Sequence, residues 1–108
     1  TTAATVEVLY TGALCYVVLS MSNSLSKGAC QHSGMAVGFT ISAAAVAIGG
    51  ISGCSLNPAV SVGVATAHAV TSGLTAALHY LPMYLCTPFL GSALGVLMFH
   101  TAYPGSVL

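Results

Sequence analysis

Charge is what this sequence has least of. Glu7 is its only acid and Lys27 its only base, and charged residues make up 2% of the chain. Soluble domains devote about a quarter of their residues to charge, so no water-facing surface can be built from this composition. A formal net charge of +0 also removes the basic footprint needed for nucleic acid or an anionic membrane surface, and neither partner is expected. Cys15, Cys30, Cys54 and Cys86 form no C-x-x-C pair and fall mostly inside apolar runs, which argues against a disulfide scaffold or a zinc site. His32, His68, His79 and His100 lie too far apart in sequence for a compact ligand motif and read as loop or interfacial residues. No metal site and no cofactor are expected. With a single carboxylate there is no acid pair, no Ser-His-acid set and no ligand cluster, so the chain does not read as an enzyme. It begins at Thr1 without an initiator Met and lacks the basic segment of a signal peptide, and it reads as a fragment.

What the sequence does have is long apolar runs. Ala3 to Met21, Gly34 to Ser52 and Leu78 to Tyr103 are each long enough to cross a bilayer, which takes roughly 20 residues. The expected fold is an all-α, multi-pass integral membrane protein with three transmembrane helices, its lipid bilayer the first partner. Ser22 to Ser33 is rich in Ser, Asn, Gly and Gln and reads as a solvent loop. Its Lys27 is the only base available for orientation and puts the loop in the cytoplasm.

The connection from Gly53 to Ala77 is apolar where a solvent loop would be polar. It contains Asn57-Pro58-Ala59: Asn suits an N-cap, Pro suits the first helical position, and small apolar residues follow. A helix beginning inside a membrane leaves backbone donors unpaired, which is tolerated only when it is buried in protein or lines a water-filled cavity. The connection is therefore expected to dip into the bilayer as a re-entrant half-helix from Pro58 to about Ala67, roughly 15 Å long against ~30 Å of hydrocarbon. A pore across the whole bilayer would need a second half-helix from the other face. Gly34 and Gly38, Gly49 and Gly53, and Gly91 and Gly95 recur at the four-residue spacing that lets membrane helices approach closely, which predicts a tight bundle. Pro82 and Pro88 each remove a backbone donor from the last run and suggest an irregular entry or kink.

Gly53-Cys54, followed after two residues by Asn57-Pro58-Ala59 and then by Ser61 and Gly63, resembles the second Asn-Pro-Ala loop of the major intrinsic protein family, the aquaporins and aquaglyceroporins. Ala36-Val37-Gly38-Phe39 resembles the start of that family's fifth helix, and Pro88-Phe89-Leu90-Gly91-Ser92-Ala93 its sixth. Glu7, with Thr11 one turn later, falls where the family places a membrane-embedded glutamate. An ionisable group inside a span is a functional candidate by default. The resemblance instead gives Glu7 a structural duty: accepting hydrogen bonds from the re-entrant loop, with Thr11 and Gly53 as further support. It implies that the chain is the C-terminal half of an inverted-repeat channel domain, with the N-terminal half missing, and that the whole is a homotetramer. It also implies a passive channel whose wall includes Asn57, Pro58, Ala59, Val60, Cys54 and Ala45. There the Asn57 amide and the positive end of the half-helix would orient water and repel cations.

The sequence departs from the family at several of these positions. Arg usually follows the second Asn-Pro-Ala, and here the residue is Val60. Val brings neither a fixed charge nor a fork of donors, so the filter is expected to be wider and more apolar, with Ala45 and Cys54 at two further filter positions widening it again. Ser61, Ala65 and Tyr84 resemble water channels, Leu85 resembles glycerol facilitators, and Thr87 replaces a usual Gly. The expected function is passage of water and of small uncharged solutes such as glycerol. Val60 and the Gly pairs also fit a non-conducting, aquaporin-like scaffold or partner subunit. A third arrangement has two copies of opposite orientation rebuilding the inverted repeat.

Overall fold

The computed structural model describes residues 2–23 and 32–105. Among the described residues four helices follow one another: α1 (Thr2–Ser22), α2 (Ser33–Ser52), α3 (Pro58–Ser72) and α4 (Leu74–Ala102). No strand occurs among the described residues. α1, α2 and the part of α4 from Leu78 to Ala102 are long and apolar enough to cross a membrane. Lys27 and Cys30 lie outside the described residues, as does most of the expected polar loop, whose end residues Ser22 and Ser33 are helical.

Two boundaries differ from the sequence expectation. The half-helix does not stop near Ala67; it continues to Ser72 because nothing after Pro58 breaks it before Gly73, which sits at φ +95°. The last helix starts at Leu74 rather than Leu78 and carries Pro82 and Pro88 inside it. Most of the apolar connection is thus helical, and Gly73 alone separates α3 from α4.

α1 packs along α2 and α4, and α4 packs along α3. A Cβ added at Gly91 would lie 2.6 Å from Thr11 Cβ and 2.7 Å from Val8 O; one at Gly95 would lie 2.6 Å from Gly12 O and 2.8 Å from Cys15 Cβ. Only glycine lets the α1 and α4 backbones meet this closely. The expected tight packing therefore holds for Gly91 and Gly95, joined by Gly12, and not for the other pairs. Gly34, Gly38, Gly49 and Gly53 have no atom within 4 Å of where a Cβ would stand, because α2 turns those faces away from the bundle.

These contacts also fix direction. Gly91 meets Val8 to Gly12 and Gly95 meets Gly12 to Tyr16, so α1 and α4 run parallel. A chain that crosses by α1, returns by α2 and crosses again parallel to α1 must enter and leave through residues 53–73 on one face. On the α1–α2 side, Ala44, Ile48 and Leu56 form a small buried cluster against which Val6, Tyr10, Leu14 and Cys54 pack. It seats the segment between α2 and α3 against the two spans.

Candidate functional site

Three of the five residues between α2 and α3 have a backbone that helices and strands do not allow. Gly53 ends α2 at φ +84°, with its N–H on Gly49 O, and Cys54 (φ +53°) and Leu56 (φ +51°) are also left-handed. For residues with a Cβ this costs roughly 1–2 kcal/mol each, so something must hold them. Glu7 is what holds them. Its carboxyl group is fully buried, and Oε1 accepts from Ser52 Oγ at 2.6 Å and Ser55 N at 3.0 Å, while Oε2 accepts from Leu56 N at 2.8 Å. Two backbone N–H groups that a mid-membrane turn would otherwise strand are thereby satisfied by the one acid of the chain.

Thr11, grouped with Glu7 by the sequence, has a different place. Its buried hydroxyl has no hydrogen-bond partner among the described residues, and its Cβ faces Gly91. One turn beyond Glu7, the side chain meets α4 rather than the loop, so it spaces two helices.

A set of hydroxyls extends the anchorage from Glu7 to α3 and α4. Ser52 Oγ also accepts from Cys54 N at 3.2 Å, and Tyr84 Oη donates to Ser52 O at 2.6 Å, tying α4 to the end of α2. Pro88 has no N–H, which frees the carbonyl one turn earlier, at Tyr84. The Ser61 hydroxyl fills that vacancy at 3.2 Å and lies equally near Asn57 O, with Ser55 Oγ 2.6 Å away. A proline inside one helix is thus matched by a serine on its neighbour. Sequence reasoning named Ser61 and Tyr84 only as family markers, and it missed Ser52 and Ser55. The available signal was the position of Ser61 four residues after Asn57 and that of Tyr84 four before Pro88.

Asn57 caps α3 from an extended backbone (φ −148°, ψ 126°), and its Oδ1 accepts from Ala59 N at 2.9 Å. Pro58 occupies the first helical position, where its missing N–H costs nothing. Asn57, Ala59 and Val60 are exposed, Val60 at 47%, while Pro58 is half-buried. Val60 and Gly53 line a cleft of about 530 Å³ together with Ser52, Ser55, Ser61 and Tyr84. Cys54 does not line it and packs partly against the Ala44, Ile48 and Leu56 cluster. Ala45 is exposed on α2, beside buried Ala44 and outside the cleft. Of the six residues expected along a pore wall, the cleft gathers only Val60. Among the described residues, no three His, Cys, Asp or Glu side chains come together as a metal centre would require.

The family model described as Major intrinsic protein matches residues 1–99. No curated protein and no solved structure matches the chain. Members of that family are membrane channels for water and small solutes and not enzymes. Three membrane-length apolar helices agree with an integral, multi-pass member, its surroundings the lipid bilayer. A match over residues 1–99, across the four helices up to Phe99, makes this chain a member of the major intrinsic protein family.

Proposed function

We propose that this chain forms half the wall of a passive pore for water and small uncharged solutes such as glycerol, as the C-terminal half of the channel domain. The observation that carries the reading is the loop held on Glu7, which presents Asn57 and the start of α3 between membrane-spanning helices. Asn57 Oδ1 is occupied by Ala59 N, which leaves the Nδ2 hydrogens to donate to a passing water oxygen. The first turn of α3 adds partial positive charge at the same place. Water meeting donors only is turned oxygen-first, and a cation is repelled, as aquaporin-type pores in general do. The N-terminal half would bring the opposing half-helix, and the complete subunits would assemble as a tetramer.

Val60 supports a permissive filter. An apolar side chain at the mouth neither narrows the opening nor binds a solute hydroxyl. The test is a swelling assay with full-length protein in vesicles, wild type beside Val60→Arg. The wild type is expected to pass both water and glycerol, and Val60→Arg to depress glycerol flux at least about tenfold more than water flux, the order of selectivity set by a 1.4 kcal/mol difference in barrier. Permeability equal to that of empty vesicles, with folded protein present, would overturn the channel reading. That result would favour the second one, a non-conducting scaffold or partner subunit, for which Val60 in place of a charged filter residue is the specific support.

A further inference from the structure

Two histidines that lie eleven residues apart in sequence line the same cleft. His68 is on α3 and His79 on α4, and the cleft bounded by Ser61, Ala65 and Tyr84 includes both. Gly73 alone joins the helices, so α3 and α4 run back along each other as a hairpin. Ser61 Oγ, 3.2 Å from Tyr84 O, fixes their register. Stepping from that pair toward the turn, residue 68 comes level with about residue 77. His79 stands two residues away, or ~3 Å along the axis at 1.5 Å per residue. Ser61, Ala65 and His68 share one stripe of α3 at helical spacing, the stripe Ser61 turns toward α4. The His79 ring is seated edge-on against Tyr80, with centroids 4.6 Å apart and planes at 90°. Both histidines are exposed and lie near the turn rather than beside Glu7.

We propose that His68 and His79 clamp a divalent transition-metal ion across the α3–α4 hairpin, with water completing its coordination. Two imidazoles without a carboxylate select the ion's class. Calcium and magnesium require oxygen ligands, and the one acid of the chain is engaged with Ser52, Ser55 and Leu56. Imidazole nitrogen suits Cu²⁺, Ni²⁺ and Zn²⁺, with Cu²⁺ the tightest. Val60 lines the same cleft, so a bound ion would share that cleft with it. The clamp rests on the hairpin geometry and not on conduction.

Cu²⁺ titration of the full-length protein in detergent, its thiols first alkylated with N-ethylmaleimide, reads the site by electron paramagnetic resonance. Wild type is expected to bind one Cu²⁺ with hyperfine coupling to two imidazole nitrogens. His68→Ala and His79→Ala are each expected to weaken binding at least about tenfold and leave a single nitrogen, since losing one arm removes the intramolecular second contact. If an alanine variant does not fold, His79→Gln, which keeps a polar group beside Tyr80, carries the same comparison. Wild-type affinity and a two-nitrogen spectrum in either single variant would overturn the clamp. So would recovery of tight binding on mixing the two variants, because the ion would then bridge two molecules. None of these readings depends on flux, so loss of the channel function and loss of the clamp are separable.

Discussion

A carboxyl group buried in a membrane protein lowers its cost when it gathers donors, and Glu7 gathers three. Replacing it with Gln keeps the shape but turns one oxygen into a donor. Either Leu56 N–H or the Ser52 and Ser55 donors must then face an NH₂ group. Each donor left unsatisfied costs about 1–3 kcal/mol, and Glu7→Ala strands the Ser55 and Leu56 N–H groups, while Ser52 Oγ keeps Ile48 O at 3.4 Å. Denaturation in detergent is expected to place Glu7→Gln below wild type by about that amount and Glu7→Ala lower still. Equal stability of all three would mean that the loop stands without its anchor. The residue was legible because it is unique: one acid in an apolar helix has no bland explanation. Ser52, Ser55 and Ser61 were not, because serine is tolerated almost anywhere in a membrane helix. Their roles depend on partners 45, 48 and 23 positions away. Thr11 was misread for the opposite reason, since sharing a helix face with Glu7 did not mean sharing its partner.

Between elements, glycine separates one interface from the rest. A methyl at Gly91 or Gly95 would stand 2.6 Å from an α1 atom, and backbone on both sides cannot yield without parting the helices. Gly91→Ala and Gly95→Ala are each expected to lower stability in detergent by about 1–3 kcal/mol, the usual cost of overpacking. Gly38→Ala meets nothing within 4 Å and gains about 0.8–1.0 kcal/mol of helix propensity, so it is expected to be neutral or stabilising. A loss at Gly38 as large as at Gly91 would show that α2 packs against another surface in the assembled protein. The sequence offered three equivalent Gly pairs and no means of ranking them, because a four-residue spacing records which residues share a face and not what that face meets. The continuation of α3 past Ala67 escaped for a related reason: hydropathy sets how far a helix can go, while the stop was set by the left-handed Gly73.

For the whole molecule, the parallel course of α1 and α4 constrains how the chain sits in a bilayer. α1 ends at Ser22 and α2 begins at Ser33, so this connection lies on one face. α2 ends at Ser52 and α4 begins at Leu74 on the opposite face, and everything between must enter and return there. A single cysteine at each end separates this path from the alternative in which α3 completes a fourth crossing. With the native cysteines replaced by serine, Ser22→Cys and Leu74→Cys are both at exposed positions and disturb no hydrogen bond described for the bundle. An impermeant maleimide added outside sealed vesicles of uniform orientation is expected to label one variant and not the other, with the pattern reversed for reagent trapped inside. A fourth crossing would put α4 antiparallel to α1. Gly95 and Cys15 would then stand at opposite depths, and the close approach at Gly91 and Gly95 could not form. Labelling of both variants from the same side would therefore overturn the re-entrant path. Equal labelling of each variant from both sides would instead reveal copies inserted in both directions, the arrangement from which two identical halves could build an inverted repeat.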